Sequence, residues 1–169
     1  MEKSNLTLNK INDISIELAK ISHSKKIWQW RNDPHTIAMS KSNSEISWNI
    51  HKNWFKKTLA KQNNFLYLGL IENENFGIVR FEEENDKNNS YTIHINLNNI
   101  YRGRGLGKFL LQLSIKRFWA DCSKANYIKA EIRNDNKESI KIFLFNHFKE
   151  ESKKDGFKTF LLIRDSKLF

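Results

Sequence analysis

With 169 residues the chain has the length of one domain and can bury a single sizeable core. Apolar residues make up 39% and charged residues 28%, ordinary for a globular protein, and the lone Cys122 excludes an internal disulfide and any multi-cysteine metal site. The net charge of +10 favours anionic partners such as nucleic acid, acidic membranes or phosphorylated small molecules, but the Lys and Arg residues are scattered and choose none of them.

The opening MEKSNLTLNK has no long apolar run and no later segment approaches a membrane span, so a cytoplasmic protein is expected. Leu6, Leu8 and Ile11 suggest a first strand or its approach. Residues 22–32 predict a short helix carrying Ile27, Trp28, Trp30 and Arg31, limited by Pro34. A second helix begins near Ser47, with Trp48, Ile50, His51, Trp54, Phe55 and Leu59 on one apolar stripe. Three strands follow over 65–71, 76–82 and 90–97, joined by polar turns that suit hairpins. Leu106, Phe109, Leu110 and Leu113 form the core face of a helix running to about residue 121. A strand over 127–132, a helix over 136–145 and strands over 148–151 and 157–163, hairpinned around Lys154, Asp155 and Gly156, complete the chain.

Between the third of the three strands and the long helix, residues 102–107 read R-G-R-G-L-G. A helix N-terminus leaves its first N–H groups unpaired and carries partial positive charge, which makes it an anion site. Gly103, Gly105 and Gly107 let a phosphate approach that backbone, and Arg102, Arg104 and Lys108 add cationic charge around it. A pyrophosphate is the expected ligand. The triphosphatase loop G-x-x-x-x-G-K-[ST] is absent, and Lys108 stands where the dinucleotide fingerprint needs its third glycine. Flexible RGG-like RNA binding and a ligand-free glycine-rich helix start are the competing readings of the hexamer alone.

The remaining pattern, Arg102-x-x-Gly105-x-Gly107, resembles the acyl-CoA pyrophosphate loop of the GNAT superfamily of N-acetyltransferases. The order of elements resembles that family almost end to end. This implies one α/β domain over residues 1–169, with a mixed, mostly antiparallel sheet splayed at its centre and flanked by helices. Acetyl-CoA is the implied co-substrate. The implied cofactor contacts are Ile95, Asn96 and Leu97, whose strand offers backbone N–H groups to the thioester carbonyl, the loop residues Arg102, Gly103, Arg104, Gly105, Leu106, Gly107 and Lys108, and Asn136. Asn136-x-x-Ser139-x-x-x-Phe143 is similar to the family's N-x-x-[SA]-x-x-x-Y helix; Asn136 is read equally as a pantetheine ligand and as a helix N-cap. Phe143 departs from the tyrosine that protonates the leaving thiolate. His147 replaces the usual glycine at the helix end, which makes Asn146 the candidate for a left-handed cap.

The motif W-R-N-D-P over residues 30–34, with I-S-W-x-x-H-x-x-W-F over residues 46–55, resembles acetyltransferases acting on nucleotide-linked amino sugars, those of the pseudaminic-acid pathway in particular. Trp30, Arg31, Asn32, Trp48 and His51 are therefore the acceptor-binding candidates, with Arg31 positioned to pair with a phosphate and an aromatic face for a uracil or sugar ring. Trp54 and Phe55 read as core. Amine acetylation needs proximity, a donor to the carbonyl oxygen and a base. Glu131 is the favoured base and His94 the second candidate. Glu82, Glu83 and Glu84 read as a solvated turn, Cys122 lies away from the site, and no metal site is expected. A related acetyltransferase branch acting on peptide or ribosomal-protein N-termini is the alternative, and a basic nucleic-acid-binding module is the non-enzymatic one. The aromatics follow a buried pattern, which argues against the latter. The terminal hairpin leaves room for a homodimer without requiring one.

Overall fold

The computed structural model describes residues 13–84, 86 and 88–164. The strand suggested around Leu6, Leu8 and Ile11 lies outside the described residues. In chain order the elements are β1 (Ser15–Leu18), α1 (Ser24–Arg31), α2 (Pro34–Met39), α3 (Trp48–Ala60), β2 (Phe65–Ile71), β3 (Glu74–Glu83), β4 (Ser90–Leu97), α4 (Leu106–Asp121), β5 (Tyr127–Arg133), α5 (Lys137–Phe145), β6 (Lys149–Lys154) and β7 (Phe157–Ile163). The strands form one mixed, mostly antiparallel sheet in the order β1-β2-β3-β4-β5-β7-β6.

Local chemistry fixes the hairpins. Glu72 and Asn73 both hold positive φ (51° and 65°) and link β2 directly to β3; Asp155 and Gly156 do the same between β6 and β7 (50° and 82°). Two residues with positive φ match the right-handed twist of paired strands. β5 follows the crossover helix α4 and so lies parallel to β4. That pairing is short: only Ser90, Tyr91 and Thr92 meet Tyr127, Ile128 and Lys129. Glu84 holds this stretch together, accepting from Thr92 on β4 and from Lys129 Nζ on β5 (3.3 Å). Beyond it the two strands part.

The faces of the sheet carry different cores. On one, Leu110, Leu111, Ile115 and Phe118 of α4 pack on the central strands, with the Phe81 and Phe118 rings stacked at 4.1 Å. On the other, Ile27 and Trp30 of α1 and Phe55 of α3 cover Leu66, Leu68 and Ile78. Strand alternation then puts Arg80, His94 and Glu131 on the second face, opposite Val79, Ile93 and Ala130. β6 is the outermost strand among the described residues, exposed along its length and interrupted by a bulge between Glu150 and Ser152. No helix among these residues is long and apolar enough to cross a membrane.

Two local differences from expectation have physical causes. Pro34 does not merely limit α1; it opens α2 as its first residue, where a missing N–H costs nothing, and Asp33 caps the helix by accepting from Thr36 N (3.3 Å). At the end of α5 the left-handed residue is His147 (φ 65°), not Asn146. The Asn146 amide instead donates to Lys108 O (3.1 Å) and Ile142 O (2.9 Å), tying the end of α5 to the first turn of α4.

Candidate active site

A cavity of about 1200 Å³ runs from the glycine loop, through the gap between β4 and β5, to the sheet face carrying α1 and α3. The half beside the glycine loop is built from backbone. Gly103 (φ 72°) and Gly105 (φ 73°) hold left-handed conformations, and a Cβ on either would meet nothing within 4 Å, so the space before the loop is open. Gly105 is the N-cap of α4. Gly107 serves packing instead, since a Cβ there would come within 2.8 Å of Ile142 Cδ1. Leu106 is buried and Lys108 Nζ sits 4.8 Å from both the Phe109 and Phe145 rings. Arg104 lies over Tyr101 at 5.5 Å, outside the cavity lining.

Arg102 lines the cavity, but its guanidinium is engaged by the protein: Nη2 donates to Leu97 O (2.9 Å) and Thr36 Oγ1 (2.8 Å) and pairs with Asp33. It clamps the loop to the end of β4 and to α2. Thr36 in turn donates to the Asn96 side chain (3.1 Å). Ile95, Asn96 and Leu97 pair with β3 on one edge, while their other edge, past the point where β5 departs, has no strand partner among the described residues. Asn136 caps α5, its Oδ1 accepting from Ser139 N (3.1 Å), and also lines the cavity. Phe143 is buried and packs edge-on to Phe148.

The half facing α1 and α3 is charged. Glu131 on β5 is held by Lys41 Nζ at 2.9 Å, with the two side chains 47% and 74% exposed. His94 on β4 sits opposite Arg80 in register, with Glu82 Oε2 at 4.0 Å. Burial and the Arg80 charge push its imidazole down to about 3, although 46% of the side chain is exposed towards the cavity it lines.

Arg80 was not among the sequence candidates. Its guanidinium lies 4.7 Å from the Trp54 ring with Glu82 Oε1 at 3.6 Å, and burial, partly offset by Glu82, together with the nearby Arg31 charge lowers its pKa. Arg31 donates from Nη2 to Ser40 Oγ (3.1 Å) and Ser42 Oγ (2.9 Å), and burial lowers its pKa as well. Arg31 Nη1 and Arg80 Nε are buried without a hydrogen-bond partner among the described residues. Period-two alternation was the available signal for Arg80, which shares an inward face with Ile78.

The other acceptor candidates divide. His51 lines the cavity, but its Nε2 meets Ser24 O (3.0 Å) between the Trp48 and Phe55 rings, and burial lowers its pKa. Trp30 belongs to the core. Asn32 is a loop clamp, donating to Ile46 O (2.7 Å) and accepting from Ile46 N (2.9 Å). Trp48 packs edge-on against Trp28 beneath Lys25, away from the cavity lining.

A splayed sheet, a glycine loop opening a helix and a through-going cavity together define an acyl-CoA-dependent acyltransferase. Residues 14–149 match the family model described as the acetyltransferase (GNAT) domain, and the chain belongs to this family. It is an acetyl-CoA-dependent acetyltransferase. Among curated relatives, it is 25% identical to acetyltransferase PseH of Campylobacter jejuni (strain 81-176) over 122 residues, 72% of this chain and 74% of that one. Among solved structures it is similar to aminoglycoside acetyltransferase AAC(6')-Ib in complex with coenzyme A (TM-score 0.76, 16% identity, covering 89% and 95% of the two chains). It is also similar to spermidine N-acetyltransferase from Vibrio cholerae in complex with CoA and spermine (TM-score 0.77, 12% identity, covering 90% and 96%).

Proposed function

We propose that the enzyme acetylates the primary amine of an anionic acceptor, a nucleotide-linked amino sugar. The observation that carries this reading is the pair of desolvated guanidiniums, Arg31 and Arg80, in the acceptor half of the cavity. Two neighbouring cations, with Arg31 close enough to lower the proton affinity of Arg80, repel a polyamine or an aminoglycoside and attract a diphosphate. The likeness to acetyltransferase PseH supports the same acceptor class.

The open backbone at Gly103 and Gly105, with the N–H groups opening α4, suits the pyrophosphate of acetyl-CoA. Acetyl-CoA supplies the activated acyl group. The unpaired edge of β4 over Ile95 to Leu97 offers N–H donors to a carbonyl oxygen, and Asn136 flanks the same gap. Rate acceleration comes mainly from holding amine and carbonyl together. Neutral His94 can accept a hydrogen bond from the amine but is too weak a base to keep its proton. The Glu131 carboxylate, on the same face of the sheet, is the proton acceptor of this reading once Lys41 gives way. Phe143 has no proton to give, so the thiolate takes its proton from solvent.

The test is calorimetry with acetyl-CoA followed by turnover on four amines: a UDP-linked amino sugar with a free amine, spermine, kanamycin and an alanine-initiated peptide. The nucleotide sugar should be acetylated with the highest kcat/KM. Turnover confined to the peptide or the polycations would overturn the acceptor class and leave the acetyltransferase standing.

A further inference from the structure

The Lys41–Glu131 pair has no role in the fold that its exposure would justify, since an ion pair so open to water contributes little to stability. Its position is more telling. Lys41 follows α2 and reaches across the cleft to β5, where Glu131 lies two residues past Lys129, the last β5 residue paired with β4. Two residues of strand are about 7 Å, so the carboxylate stands just inside the gap where β4 and β5 part. A thioester whose carbonyl meets β4 N–H groups at Ile95 to Leu97 enters that same gap. Lys41 therefore presents a primary amine, salt-bridged to a carboxylate, beside the place where an acyl group is delivered. Chemically, that is an acceptor.

We propose that Lys41 is itself an acetylation site of this enzyme: its amine occupies the acceptor position on Glu131 and takes the acetyl group when no acceptor is bound. The inference rests on the placement of acetyl-CoA given above. Glu131 holds Lys41 as its ammonium, so the proton passes to the carboxylate only as the Nζ lone pair attacks the thioester carbonyl carbon. The N–C bond forms as the C–S bond breaks, and the thiolate leaves with the electron pair. The ammonium sheds two protons in all; one ends on the thiolate and one passes through Glu131 to water. The products are acetyl-lysine and coenzyme A thiol, with no further reactant. Acetylation removes the charge of Lys41, so Glu131 loses its partner and the strap across the acceptor half is released. An acceptor ammonium does the same by displacement.

The experiment incubates the purified protein with acetyl-CoA and no acceptor, and follows each lysine by peptide mass spectrometry. Lys52 and Lys56, exposed on α3, report the uncatalysed background. Lys41 should be acetylated at least about tenfold faster than either, because its amine is held beside the thioester. In Glu131→Gln that excess should vanish. Equal rates at Lys41, Lys52 and Lys56, or an excess that survives Glu131→Gln, would overturn the proposal. Calorimetry with acetyl-CoA on the same sample separates the two failures: binding without selective Lys41 acetylation removes only this inference, and absence of binding removes the co-substrate site with it.

Discussion

The Arg102 guanidinium donates to Thr36 Oγ1 at 2.8 Å, joining the glycine loop to α2 across 66 residues of sequence. The same group pairs with Asp33, the cap of α2. Burial pushes the Asp33 carboxyl up, but the Arg102 hydrogen bond and charge and the Thr36 hydrogen bonds together hold it below the ordinary value. Arg102→Ala should lower stability by about 1–3 kcal/mol in urea denaturation, because a half-buried carboxylate loses its partner. Asp33 is stabilised as the anion, so its contribution is present above the unfolded carboxyl pKa of 3.8 and lost as pH falls below it. The variant should therefore approach the wild type only in acid.

Arg80 should show the opposite balance. Its buried Nε has no hydrogen-bond partner among the described residues, only the Glu82 carboxylate at 3.6 Å, and Arg31 lies close by. Arg80→Met keeps the apolar stem over Trp54 and removes the charge, so stability should stay within about 1 kcal/mol of wild type or rise. The KM for the nucleotide-linked acceptor should rise about tenfold, the equivalent of about 1.4 kcal/mol, with acetyl-CoA affinity unchanged. A destabilised variant with unaltered KM would make Arg80 a structural residue.

His94 predicts a pH dependence of folding. In the native state its imidazole stays neutral down to about 3, whereas in the unfolded chain it protonates near 6.5. The unfolded state therefore binds more protons below 6.5, and stability contributed by the neutral ring drains as pH falls from there towards 3. His51 and His23 are lowered by burial and act with the same sign. The urea midpoint should fall between about pH 7 and about pH 5, and His94→Asn should flatten that slope. An unchanged slope in the variant would mean that the ring is not held neutral.

Gly105 and Gly107 should respond differently to the same methyl group. Gly105→Ala meets no atom but must hold φ at 73°, costing about 1 kcal/mol. Gly107→Ala brings its Cβ to 2.8 Å from Ile142 Cδ1, an overpacking cost of about 1 kcal/mol. Ile142→Val deletes that Cδ1 and should recover stability in the Gly107 background alone. Melting of the two double-mutant cycles measures the contrast.

The glycine-loop half of the candidate site is legible as a unit because it is local: one strand, one glycine loop and one helix, contiguous in sequence. β2, β4 and β7 kept their expected bounds for the same reason, being apolar runs closed by polar turns. The acceptor half draws on α1, the loop after α2, β3 and β5, so no short window contains it. α2 was missed because a proline stops one helix and starts another with equal ease. The aromatic motif around Trp30 and Trp48 carried a likeness of sequence, but these side chains pack on one another and on the core. Arg102 was legible as a cation and illegible as a clamp, since Asp33 and Thr36 come near only after folding.

One edge of the sheet has a consequence for handling the protein at high concentration. β6 presents a row of backbone donors and acceptors that no neighbouring strand engages among the described residues, and such a row is a template for aggregation. Lys149, Lys153 and Lys154 crowd that short strand, and its bulge twists it out of the flat geometry that an incoming chain needs. A second molecule adding there would have to bring like charges together along the new seam. The lysines of β6 thus act as gatekeepers against fibrillar stacking, a share of the net positive charge that serves solubility and owes nothing to the substrate.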